Sequence, residues 1–188
     1  WPGARRTDPW MTAYVCYGLT VARQAGVAVD QSRLQRGIQA LRNSLVHLEN
    51  RPDTMAYALH TLALHKIKEP KWQERIWQRR ERLNAYSRAL MALAFHHLGD
   101  RQRATVMLRN LEDFLEQDKG NRTAHWGKTA GYWRWSDDAV EATSYALKAY
   151  LAIEPRSRLV KPIMKWLVNN RRGSRWKSTR DTAFAIYA

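Results

Sequence analysis

Apolar positions along this chain fall three and four apart, the spacing of helix turns, and they do so in two alternating styles. The first helix opens at Thr7-Asp8-Pro9, an acceptor followed by a first-turn proline. It runs through Trp10, Met11, Tyr14, Val15, Gly18, Leu19 and Ala22 to a stop near Gly26. The second begins after Asp30 and differs in kind. Leu34, Ile38, Leu41, Leu45 and Leu48 make one stripe, and Arg33, Arg36, Gln39 and Arg42 make a polar face, as in a surface helix with one buried side. A third starts at Arg51-Pro52-Asp53 and is apolar on more sides (Ala56, Tyr57, Leu59, Ala63, Leu64). An outer, charged helix follows over 70–82, then an apolar one over 85–98 that ends at Gly99-Asp100. The pattern over 101–118 predicts an amphipathic helix burying Val106, Leu108, Leu111, Phe114 and Leu115.

Next comes the most unusual stretch, 126–152. Gly127 and Gly131 permit tight turning, and Trp126, Tyr132, Trp133 and Trp135 need something to pack against. Ser136, Asp137 and Asp138 are short acceptors suited to a helix start, and Glu141 falls in the first turn, where negative charge complements the helix dipole. Ala142, Tyr145, Ala146, Ala149, Tyr150 and Ile153 then recur at helical spacing until Pro155. An amphipathic helix over 156–170 leads to a second glycine–tryptophan turn at 173–176. Ser178 and Asp181 fit a capping box ahead of a last helix over 182–188. The one strand signal is a short hairpin around 126–135.

Small-plus-aromatic pairs mark the apolar set: Ala13-Tyr14, Ala56-Tyr57, Ala85-Tyr86, Ser144-Tyr145 and Ala183-Phe184. Intervals of about 40 residues mean stacked helix pairs. An open solenoid and a closed α/α toroid both fit. Irregular spacing and aromatic turns favour the toroid, with the apolar helices as inner barrel and the amphipathic ones as outer ring.

Composition narrows the reading. The 188 residues are 45% hydrophobic, enough for one domain with a core. No apolar run reaches the roughly 20 residues of a membrane span. The chain opens without a signal-peptide pattern and stops inside an apolar helical pattern, which reads as a segment of a longer protein. Cys16, the single cysteine, excludes an internal disulfide and sits where a buried, inert thiol is expected. The net charge of +15 clusters at Arg79-Arg80-Arg82, at Arg101–Arg103 and over 171–180. It is spread over many helices without a nucleic-acid-binding signature, so no nucleic-acid partner is expected.

Several residues invite chemistry and have plainer readings. His125 beside Trp126 suits a turn anchor. His96 and His97 point to different faces, and no carboxylate or cysteine joins them with His60 and His65 at ligand spacing. Asp137-Asp138 resembles acidic pairs of toroid cyclases but stands where a helix cap belongs. No catalytic residue, metal or cofactor is expected. The residues kept as candidates for an aromatic cavity or turn site are His125, Trp126, Trp133, Trp135 and Trp176.

Five stretches, in order, resemble the thioester domain of the α2-macroglobulin family. They are Asp8-Pro9-Trp10-Met11-Thr12-Ala13-Tyr14-Val15, ALMALAFHHLGDRQRA over 89–104, Ala124-His125-Trp126, VEATSYALKAYLAIEP over 140–155, and IMKWLVNNRRGSRWKSTRDTAFAIYA over 163–188. The arginine-rich last stretch is similar to the bacterial branch. The resemblance covers nearly the whole chain and implies an α/α toroid, truncated at both ends and forming a single incomplete domain over 1–188. It also implies an extracytoplasmic parent (periplasm, cell envelope or secreted) that inhibits proteases. There a protease cuts a bait segment, the molecule rearranges, and a thioester in this domain is exposed. An amine of the protease then attacks the acyl group and is tethered, with the thiolate as leaving group. Proteases and other domains of the same parent are the implied partners.

That chemistry requires a Gly-Cys-x-Glu-Gln motif, in which the thiol and the glutamine acyl group close a small ring. This chain has no Cys-x-Glu-Gln, and Cys16 is followed by Tyr17-Gly18-Leu19. Complement relatives also use a histidine before the helix that starts here at Pro52. This chain has Leu48-Glu49-Asn50-Arg51 there, and nearby His47 is not assigned that role. The segment is thus expected to be a non-enzymatic scaffold. A toroid enzyme of the terpene cyclase or prenyltransferase type is the first alternative, and a basic helical-repeat binding module the second.

Overall fold

A computed structural model describes residues 8–127 and 139–188. Among these residues nine helices succeed one another: α1 (Pro9–Gln24), α2 (Gln31–Ser44), α3 (Pro52–Leu64), α4 (Pro70–Gln78), α5 (Ala85–His97), α6 (Arg101–Arg109), α7 (Ala139–Ile153), α8 (Val160–Asn169) and α9 (Thr179–Tyr187). Their starts are set by side chains that satisfy free N–H groups. Asp8 accepts from Met11 N, Asp30 from Arg33 N, Asn84 from Ser87 N, Asp100 from Arg103 N and Ser178 from Asp181 N. Pro9, Pro52 and Pro70 occupy first-turn positions, where a missing N–H is harmless.

The odd-numbered helices pack successively on one another, α1 on α3, α3 on α5, α5 on α7 and α7 on α9. The even-numbered ones lie against them in turn. This is the α/α toroid arrangement, and its physical basis is visible in burial. Every residue of α5 from Ala85 to Phe95 is buried, as is every residue of α3 from Thr54 to Ala63. In α2 only Leu34, Ile38 and Leu41 are buried. Small residues allow close approach between the inner helices; Ala13, Ala56, Ala89 and Ala149 are all fully buried.

The structure corrects the helix expected over 101–118. It ends at Arg109, and the chain continues through a 3-10 turn, Glu112–Phe114, into strand β1 (Glu116–Asp118). The cause is competition for carbonyls. The Asn110 carbonyl accepts from the Arg88 guanidinium and the Leu111 carbonyl from the Trp126 indole. Phe114, expected in the core, is 43% exposed and carries the Arg88 guanidinium over its ring instead. A hairpin that the sequence did not signal precedes the Trp126 turn. β1 pairs antiparallel with β2 (Thr123–His125) in the register Glu116↔His125, Gln117↔Ala124 and Asp118↔Thr123. Residues 128–138, which include most of the hairpin expected around 126–135 and the Ser136-Asp137-Asp138 cap, lie outside the described residues. Smaller shifts affect two helices. α8 starts at Val160 rather than 156, with Pro162 in its first turn, and α9 starts at Thr179 rather than 182.

Candidate functional site

Inside the inner helices, rings fill the space that a closed barrel leaves. Tyr17 of α1 lies 6.0 Å from Tyr57, 5.7 Å from His60 and 6.3 Å from Tyr145 by ring centroids. Tyr86 meets Tyr145 edge-on at 5.3 Å, and Phe184 of α9 reaches Tyr145 at 5.3 Å. The small-plus-aromatic pairs of the sequence supply four of these rings, Tyr57, Tyr86, Tyr145 and Phe184. Burial raises the phenol pKa of all four tyrosines, Tyr17 to about 12. Burial also holds His60 well below its ordinary value, with His97 and Lys148 adding to the effect, so its imidazole is neutral. The hydroxyls of Tyr57 and Tyr145 and Nδ1 of His60 make no hydrogen bond of normal geometry. This is a plug of neutral aromatic groups, poor in charge.

Lys148 of α7 breaks that rule. Its Nζ donates to the Tyr17 hydroxyl at 3.1 Å and stands 3.7 Å over the Tyr187 ring. No carboxylate pairs with it among the described residues, and burial lowers it from 10.5 to about 7. A lone lysine in the apolar run ALKAYLAI was the available signal. Two buried charges do find partners. Glu141, 2% exposed, pairs with Arg180 of α9. Arg88, also 2% exposed, donates to the carbonyls of Leu83, Glu81 and Asn110 and to the Asp113 carboxylate at 2.8 Å.

The glycine–tryptophan turns are joints between helix pairs. Trp126 is fully buried and stacks on Tyr150 of α7 at 6.0 Å. Its N–H donates to the Thr143 hydroxyl at 3.0 Å, and that hydroxyl donates to the Trp126 carbonyl at 3.2 Å. Trp176 repeats the device: its indole donates to the Leu167 carbonyl at 2.8 Å and its N–H to the Thr182 hydroxyl at 3.0 Å. Each tryptophan therefore ties the end of one helix region to the start of the next inner helix. The two serve different helix pairs.

His125 stacks on Trp166 of α8, with centroids 4.6 Å apart and rings 3° from parallel. Its Nε2 lies 3.5 Å from the Glu116 carboxylate across the hairpin. Burial lowers its pKa, opposed by Glu116. The arrangement anchors the hairpin to α8. Trp133 and Trp135 lie outside the described residues. His60 and His97 approach to 6.0 Å, and among the described residues no three metal-ligating side chains gather. Cys16 is buried beneath α2, its pKa raised by burial. A Cβ added at Gly37 would meet its sulfur at 2.6 Å, so the thiol is shut in by backbone.

A family model described as the A-macroglobulin TED domain matches residues 72–188. Among solved structures, the chain is similar to Salmonella alpha-2-macroglobulin reacted with methylamine. The TM-score is 0.71 and the identity 19%, over 99% of this chain and 12% of that one. It is also similar to native alpha-2-macroglobulin from Escherichia coli, in a structure running from domain MG7 to the C-terminus. There the TM-score is 0.69 and the identity 17%, over 99% of this chain and 30% of that one. The chain thus spans less than a third of either matched chain.

Proposed function

The chain belongs to the A-macroglobulin TED-domain family, and from that premise we propose that it is the rigid scaffold of a thioester-type domain in an α2-macroglobulin-like protease trap. The parent protein captures an endopeptidase after its bait segment is cut. This segment performs no catalysis. It positions and shields a reactive group that other residues carry. Supporting this division of labour, the segment's one thiol, Cys16, is walled in by Gly37 and has no glutamine three residues on. The interior plug of neutral rings is likewise suited to rigidity rather than to turnover. The parent works outside the cytoplasm, where it meets foreign or stray proteases, and its other domains dock on this toroid.

The family match over 72–188 is the observation that carries the reading. The test is to mix the full-length protein with trypsin, with and without prior methylamine treatment. Trapping predicts that trypsin keeps its activity on a small peptide ester and loses it on a large protein substrate. A covalent band that methylamine abolishes places an intact thioester elsewhere in the parent. Trapping without such a band assigns capture by shape change alone. Unaltered cleavage of large substrates after bait cutting removes the proposal.

A further inference from the structure

Between Glu154 and Asp181 the chain contains no acidic residue and nine cations. One of them, Arg180, turns inward to Glu141. The others are exposed and concentrate on α8 and the turn after it, notably Lys161, Lys165, Arg171, Arg172, Arg175 and Lys177. None of these forms an ion pair among the described residues. Elsewhere on the surface several cations are paired: Arg33 meets Asp30, Arg42 meets Glu69, Arg75 meets Glu49 and Arg103 meets Glu74. The nearby hairpin acid, Asp118, accepts from Asn121 instead, at 2.9 and 2.7 Å.

Helical spacing aligns these groups. Lys161, Met164, Lys165 and Val168 stand at positions i, i+3, i+4 and i+7 of α8, which is one outward face, and Arg172 follows in the turn beyond the helix. Met164 is 50% and Val168 61% exposed, while Ile163, Trp166 and Leu167 anchor the opposite face. At the C-terminal end, Arg172 and Arg175 bond to each other through their backbones, with Gly173 at φ +64 closing the turn. That turn holds Arg171, Arg172, Arg175 and Lys177 in one knot. The platform beneath is firm, because His125 stacks on Trp166 and Trp176 binds the Leu167 carbonyl.

We propose that this face of α8 and its following turn binds an anionic lipid bilayer. Two exposed alkyl side chains framed by long cationic ones suit a surface with an acyl layer below a phosphate layer: Met164 and Val168 enter the boundary while lysine and arginine reach the headgroups. Nucleic acid offers phosphates but no apolar phase for Met164 and Val168. An acidic peptide would want a groove, and this face is the exposed side of α8, opposite Ile163, Trp166 and Leu167. The attraction requires neither a thioester nor a protease, so it stands apart from the trapping role.

Sedimentation of the full-length protein with phosphatidylcholine vesicles, with and without phosphatidylglycerol, tests it. Binding is expected only with the anionic lipid. It should fall at least tenfold in the quadruple variant K161Q/K165Q/R171Q/R172Q, at about fivefold per cation before saturation. A variant with equal charge loss elsewhere, R33Q/R36Q/R101Q/R109Q, should keep most of the binding. M164S/V168S should weaken binding without changing its salt dependence. Equal losses in the two quadruple variants, or equal binding to neutral vesicles, overturn the proposal. So does duplex DNA or polyaspartate bound through the same four cations while vesicles are ignored, which reassigns the face to a soluble polyanion. Circular dichroism confirms that each variant is folded.

Discussion

The indole nitrogen of Trp126 donates to the carbonyl oxygen of Leu111 across 15 residues of chain, at 2.7 Å and fully buried. This bond holds the end of the α6 region against the start of α7. Trp176 and Leu167 repeat it one helix pair later. Replacing Trp126 with phenylalanine keeps most of the ring and leaves the Leu111 carbonyl without that donor, a loss of about 1–3 kcal/mol. Alanine removes the wedge as well and costs about 3–5 kcal/mol. Urea unfolding of the two variants checks this order, and a phenylalanine variant as stable as the parent would show that the indole N–H contributes nothing.

Thr143 extends the same joint, since one hydroxyl serves both the N–H and the carbonyl of Trp126. Thr143→Val preserves shape and strands both backbone groups, so a loss of about 1–3 kcal/mol is expected. Thr143→Ser should restore most of it. A valine variant as stable as the parent would mean that water replaces the hydroxyl.

Gly37 is expected to resist alanine because the new Cβ would meet the Cys16 sulfur at 2.6 Å. Gly37→Ala should destabilise by about 1–3 kcal/mol. Combined with Cys16→Ala it should recover most of that loss, so the pair is strongly non-additive. An additive double-mutant cycle contradicts the contact.

Glu141 and Arg180 form a buried pair between α7 and α9. Glu141→Leu leaves a guanidinium deprived of its carboxylate and should cost about 3–5 kcal/mol. Adding Arg180→Met should recover part of the loss, because neither charge then remains to be solvated. Thermal unfolding of the two single variants and the double variant measures the coupling, and a double variant no better than Glu141→Leu alone would refute it.

Lys148 gives a pH signature with a definite sign. Its folded pKa, about 7, lies below the ordinary 10.5. Between those values the unfolded chain binds a proton that the folded chain does not, so this residue makes stability rise with pH across that window. Below about pH 7 both states are protonated and the penalty is constant. Lys148→Met should therefore stabilise by about 1–3 kcal/mol at pH 7, less than the full shift converts to because the amine keeps some water. The gain should shrink by about pH 9.5. Urea titrations at the two pH values decide it, and an equal gain at both would place the amine in water.

Much of this molecule was legible in the linear chain because helix periodicity and caps are local. Asp8, Asp30 and Ser178 each act within three residues of themselves. The alternation of all-round and one-sided apolar helices likewise predicted the inner and outer layers of the toroid. Tertiary structure decided the rest, because those choices lie between residues far apart in the chain. The pattern over 101–118 was helical throughout, but Arg88 and Trp126 claim the carbonyls of Asn110 and Leu111 and divert the chain into a hairpin. The tryptophans of the turns were visible as residues, whereas their role as joints depends on Leu111, Thr143, Leu167 and Thr182. Lys148 meeting Tyr17 spans 131 residues, and no local period encodes such a meeting. Sequence determined which faces must be covered, since burying apolar area needs only the right residue types at the right spacing. Which buried polar group meets which partner was settled only when the helices closed on one another, because hydrogen bonds and ion pairs depend on distance and direction in three dimensions.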